Sequence, residues 1–233
     1  MTARVAVLAS GGGSNLQAIL DHFDTLGSAS AAAVALVLSD RAAAGALDRA
    51  HRHGIAALAL DPTQRAEGLA ALLESHDIDL ITLAGYLRFV PTDVTRQWRG
   101  RIVNVHPSLL PAFGGAGMYG IRVHQAVVAA GVRVTGATVH FVDEEFDRGP
   151  IIAQWPVPVL PMDTAEELAE RVLAVEHALF PRAVHAVARG SVTLGDDGLV
   201  HGLMGPLPAC TTYALSSVAP ESVGDSLFGP RGH

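Results

Sequence analysis

Short apolar runs alternate with stretches of helical period along most of this 233-residue chain. Residues 5–9, 34–38, 55–60 and 79–83 read as buried strands. Between them, the Leu16, Ile19 and Leu20 stripe and residues 42–53 and 65–75 read as helices. A short helix then leads to a strand ending at Val105, a helix follows at 122–130, and strands follow at 134–142 and 151–159. Pro156 and Pro158 suit the last of these to a sheet edge, because proline cannot donate to a ladder. Thr164 and Glu167 form a capping-box pattern ahead of a long helix whose apolar stripe is Leu168, Val172, Val175 and Leu179. Pro181 is expected to kink that helix and Gly190 to stop it. Strands and helices in this alternation predict an α/β fold over residues 1–200: a doubly wound, mostly parallel sheet with helices on both faces. Residues 201–233 are Gly-, Pro- and Ser-rich without a period, which predicts a loosely attached C-terminal tail.

Ligands in such folds gather beyond the carboxyl ends of the strands. Residues 11–15, 85–90 and 104–111 all follow strands and are expected at that edge. In RIVNVHPSLLP, residues 101–111, the β-branched end of a strand meets Pro107, so the chain turns into a fixed loop. Asn104 and His106 stand two apart on extended chain and share one side, offering an amide donor beside an imidazole. In SGGGSN, residues 10–15, three glycines between strand and helix let backbone N–H groups converge on an anion, and a side chain at Gly13 would obstruct that approach. The Gly-Lys-Ser/Thr of a Walker loop is absent. Gly11 and Gly13 fit two positions of a dinucleotide fingerprint, with Leu16 at the third and Asp40 available for a ribose. A nicotinamide-dependent oxidoreductase is therefore an alternative. Within the acidic loop, residues 143–147, Glu144 and Glu145 read as solvated, while Asp147 precedes Arg148 and Gly149, where the chain can turn back to the sheet edge.

Composition narrows the classes. The chain is 49% hydrophobic and 17% charged, ample for one core, and its net charge of −7 disfavours nucleic acid as a partner. All 16 basic residues are Arg, which points to genomic bias and removes Schiff-base and phosphate-loop lysines. The lone Cys210 fits a reducing compartment, and no apolar run reaches membrane-span length, so a soluble, cytoplasmic protein is expected. Scattered histidines without H-E-x-x-H give no metal site, and no G-x-S-x-G elbow supports a serine hydrolase. Trp155 and Tyr119 read as packing residues.

The segments ASGGGSNLQAIL, AGYLRFV, NVHPSLLP, TGATVHFVDEEFDRGPII and VEHALFP, in this order, resemble the folate-dependent glycinamide ribonucleotide formyltransferases of purine biosynthesis over about residues 4–190. The resemblance implies a Rossmann-like formyltransferase fold, small-molecule substrates, a monomer or homodimer, and 10-formyltetrahydrofolate as co-substrate with no metal. It assigns the ribonucleotide to Gly13, Ser14 and Asn15 at the phosphate and Glu176 at the glycinamide end. It assigns the folate to Arg65, Leu87, Arg88, Phe89, Val90, Asn104, Asp143, Glu144, Glu145, Phe146 and Asp147. Asn104, His106 and Asp147 are the implied catalytic set, with Asp147 keeping the imidazole protonated. Other enzymes that use 10-formyltetrahydrofolate, methionyl-tRNA formyltransferases and deformylases, share two of these motifs but carry further domains for which this chain is expected to have no room.

Two stretches depart from the family pattern. After SLLP the family has a shorter turn carrying a histidine, whereas residues 113–120 here read FGGAGMYG, with Tyr119 near that histidine's place. This loop is left outside the expected site. Residues 201–233 match no part of the pattern and receive no role.

Overall fold

The computed structural model describes residues 2–60, 66–202 and 204. Its main sheet has seven strands, β1 (Ala3–Leu8), β2 (Ala32–Ser39), β3 (Ala56–Ala59), β4 (Leu80–Leu83), β5 (Ile102–His106), β6 (Val134–Phe141) and β7 (Ile151–Pro158). They lie in the order β3-β2-β1-β4-β5-β6-β7. Pairings from β3 through β5 are parallel, and β5–β6 and β6–β7 are antiparallel. The proline-bearing β7 is an edge, as its composition predicts.

Six helices cover the sheet: α1 (Ser14–Leu26), α2 (Gly45–Arg52), α3 (Ala66–Ser75), α4 (Thr92–Gln97), α5 (Ile121–Ala130) and α6 (Ala165–Ala188). Alternation along β1 divides them between the faces. Val5, Val7 and Ala9 belong to the core beneath α1, α2, α5 and α6, and Ala6 and Leu8 to the core beneath α3 and α4. Burial of side chains such as Leu16, Ile19, Leu168 and Phe180 contributes roughly 1.5–3 kcal/mol each. The Thr164–Glu167 capping box forms and starts α6. Pro181 lies inside α6 and is itself buried, and the helix continues past it to Ala188.

The chain winds outward from β1 through β2 and β3, then returns to β4 on the other side of β1. That reversal opens the crevice where doubly wound folds hold ligands. Ser10 fastens its two lips: its N–H donates to the Gly85 carbonyl at 3.1 Å, and its Oγ accepts the Leu87 N–H at 2.9 Å.

An antiparallel hairpin, β8 (Val192–Leu194) with β9 (Val200–Gly202), follows α6 and carries regular structure across residue 200. Strands of three residues are too short to register as a period, so the sequence pattern misses them. Apart from this hairpin and Met204, the expected tail lies outside the described residues, as does Arg65. No helix among the described residues is long and apolar enough to cross a membrane.

Candidate active site

The glycine loop is built from behind. α2 props it through Ala46 N–H to the Gly11 carbonyl at 3.1 Å and Arg49 Nε–H to the Gly12 carbonyl at 2.7 Å. Gly13 caps α1 at φ 75, a left-handed conformation that suits glycine. A Cβ there would stand 2.8 Å from the Ala46 Cα, whereas none at Gly11 or Gly12 would meet anything within 4 Å. The open side of the loop is therefore at Gly11 and Gly12, and Gly13 serves the packing of α2. The first N–H groups of α1, at Ser14 and Asn15, have no carbonyl one turn back and suit an anion. Buried Asn15 donates from Nδ2 to Glu176 Oε2 at 2.7 Å, and its Oδ1 has no partner. Burial raises the Glu176 pKa to about 7, against the opposing pull of that hydrogen bond.

The reactive groups meet because β5 and β6 run antiparallel with Asn104 opposite His140 and His106 opposite Thr138. His140 Nδ1 donates to the Phe141 carbonyl at 2.8 Å, leaving Nε2 to accept the Asn104 Nδ2 donor at 3.0 Å. The same Nδ2 reaches Asp147 Oδ1 at 3.4 Å. His106 Nε2 lies 2.9 Å from the Phe113 carbonyl, and its Nδ1 lies 3.4 Å from Asp147 Oδ2. Asp147 is delivered in the left-handed region at φ 55, tolerable for Asp, and takes the Gly115 N–H at 2.9 Å.

Electrostatics correct one expectation. Burial lowers the His106 pKa below 6.5, and this outweighs the Asp147 charge and the Phe113 carbonyl, which both raise it. The imidazole is therefore neutral near neutral pH, where the resemblance implied a protonated one. Asp147 stays ionised: burial pushes its pKa up, but the neighbouring imidazoles of His140 and His106 and the Gly115 N–H together bring it below 3.8. His124 is buried under the same region, with Nδ1 unpartnered and its pKa lowered to about 4 by burial and by His106.

A partly open cleft with a volume of about 180 Å³ runs across these groups. Leu87, Arg88, Phe89, Val90, Asn104, Asp143, Glu145, Phe146 and Asp147 all line it, together with His106 and His140. Phe89 and Phe146 meet edge to face across two loops with centroids 5.0 Å apart. Glu144 does not line it: its carboxylate turns outward to Arg96 in a bidentate pair at 2.7 and 2.8 Å. Asp40 is drawn toward Arg88 at 3.4 Å, next to Tyr86, whose pKa burial pushes up to about 12.

Sequence reasoning missed His140, Tyr86 and the 113–120 loop. That loop, left outside the expected site, supplies the Phe113 carbonyl and Gly115 N–H to the reactive set, and Gly117, Met118 and Tyr119 to the cleft wall. The signal for His140 was its shared strand face with Thr138; the signal for the loop was its run of glycines before a helix.

The chain thus has a doubly wound sheet with an Asn–His–Asp set at its carboxyl edge, and residues 3–184 match the formyl transferase family, to which this chain belongs. Among relatives, the chloroplastic phosphoribosylglycinamide formyltransferase of Vigna unguiculata is 41% identical over 203 residues, 84% of this chain and 64% of that protein. The trifunctional purine biosynthetic protein adenosine-3 of Bos taurus is 44% identical over 204 residues, and the chain spans 20% of its length. Among solved structures, glycinamide ribonucleotide transformylase 1 from Symbiobacterium toebii superposes with a TM-score of 0.79 at 42% identity, covering 87% of this chain and 94% of that one.

Proposed function

We propose that the protein transfers the formyl group of 10-formyltetrahydrofolate to the amine of 5'-phosphoribosylglycinamide. The observation that carries this reading is the convergence of Asn104, His106 and Asp147 on one cleft, with an anion-ready helix start across the same crevice. The amine attacks the formyl carbon, forming a C–N bond, and the carbonyl becomes an oxyanion. Neutral His106 takes the amine proton at Nδ1, and the adjacent Asp147 carboxylate stabilises the imidazolium. Breaking the bond to N10 of the folate returns the carbonyl, and the imidazolium delivers the proton to N10. Asn104 meets the oxyanion by exchanging its 3.4 Å contact with Asp147 for the substrate oxygen.

The backbone N–H groups from Gly13 to Asn15, approached from the open side of the loop at Gly11 and Gly12, would hold the phosphate, and Glu176 would contact the glycinamide end. The 87–90 and 143–147 segments would hold the folate. The reaction needs no metal in this scheme, and a cytoplasmic location is part of the same proposal. The protein should release tetrahydrofolate only when both ribonucleotide and 10-formyltetrahydrofolate are present; turnover with NAD(H) alone would overturn the reading in favour of an oxidoreductase.

A further inference from the structure

The 113–120 loop places an aromatic ring at the cleft that no assignment above uses, and the next element, α5, stacks a guanidinium on that ring. Tyr119 lines the cleft and is 40% exposed, so its ring is available to a ligand. On this ring lies the guanidinium of Arg122, from the first turn of α5, with Cζ 4.9 Å from the ring centroid. Such stacking orients a cation while leaving its N–H edge free for an acceptor. Arg122 is exposed and makes no ion pair among the described residues.

The charges around the cleft give this cation a task. Asp143, Glu145 and Asp147 line the cleft, and Arg88, the arginine among the described lining residues, is paired with Asp40. An acidic ligand tail leaving the cleft therefore meets these carboxylates unless it runs past Tyr119, where the stacked guanidinium of Arg122 has no carboxylate partner among the described residues. The loop is also tied to the reactive set, through the Phe113 carbonyl at His106 and the Gly115 N–H at Asp147. Its conformation and the geometry of those two side chains are linked.

We infer that Tyr119 and Arg122 dock the arylamide-carboxylate tail of the one-carbon donor, Tyr119 against the aryl ring and Arg122 on a carboxylate. The inference rests on the proposed function and adds a recognition point to it. Calorimetry with two ligands tests it: 10-formylfolate, and the same compound with its glutamate replaced by a methylamide. Arg122→Gln should weaken 10-formylfolate about 2- to 5-fold, the range of an exposed ion pair, and leave the methylamide compound unchanged. Arg122→Glu should weaken 10-formylfolate on the order of 10-fold, with the loss shrinking at high salt. Tyr119→Leu should weaken both compounds, since both keep the aryl ring, and ribonucleotide affinity should not move in any variant. Equal effects of Arg122→Gln on the two compounds, or none on either, would overturn the inference and leave the formyl-transfer reading standing. Failure of the unmodified protein to bind 10-formylfolate would overturn both.

Discussion

At His106 two influences oppose each other, since burial disfavours the imidazolium while Asp147 and the Phe113 carbonyl favour it. Burial prevails, so in the proposed transfer His106 starts as a base and Asp147 matters for the charged form that arises. Asp147→Asn keeps the shape and removes the charge, so the His106 pKa should fall further. kcat/KM should drop roughly 10²-fold or more, and its acid limb should move to lower pH. The double variant with His106→Ala should be little worse than the worse single, because the two act as a unit. An unchanged His106 titration by NMR in the Asn variant would remove Asp147 from this role. The glycine loop makes a second residue-scale prediction. Gly13→Val strains a φ of 75 and strikes Ala46, so it should lower melting temperature and both ligand affinities. Gly12→Val projects into open space and should spare folding and folate binding while weakening the ribonucleotide about tenfold, or 1.4 kcal/mol. Calorimetry with each ligand separates the two. The sequence showed that the loop needs glycine, but not which glycine faces the ligand, because that depends on where α2 packs.

Among the elements, those longer than about four residues were legible in the sequence, because their apolar spacing answers to one buried face. Asn104 and His106 were legible too, as two residues on one side of a strand end. What stayed hidden depends on pairing between distant segments. His140 enters the site only through the antiparallel register of β5 and β6, and the 113–120 loop only by folding back over Asp147. The β8–β9 hairpin was hidden by its shortness, and it is the last regular element among the described residues. Val192 in β8 is buried and pairs with Gly202. Truncation after Met204 should leave the melting temperature and activity unchanged. Truncation after Leu199 removes β9, leaves β8 unpaired, and should lower the melting temperature. A large loss in the longer truncate would show that residues 205–233 dock on the domain.

Over the whole molecule, two buried groups bend the pH dependence of stability in opposite directions. His124 has a folded pKa of about 4 against 6.5 unfolded, so the unfolded chain binds its proton first. Stability is lost as pH falls from 6.5 towards 4, by about 3 kcal/mol at the end of that window. Glu176 has a folded pKa of about 7 against 4.5 unfolded, so its contribution is present below 4.5 and is lost as pH rises through 7. Glu176→Gln should therefore raise the melting temperature relative to the unmodified protein at pH 8 and change it little at pH 4; the reverse order would mean that Glu176 is ionised in the fold. The same carboxyl, through Asn15, joins α6 to the start of α1. The central claim is that the Asn104–His106–Asp147 cleft moves a formyl group from a folate nitrogen to a substrate amine. Its most direct test follows the carbon itself, with 10-formyltetrahydrofolate labelled with ¹³C in the formyl group and mixed with 5'-phosphoribosylglycinamide and the protein. The ¹³C resonance should move to an N-formyl amide on the ribonucleotide, and His106→Ala should abolish the move. Label appearing as free formate at the same rate with or without the ribonucleotide would identify a hydrolase and contradict the account.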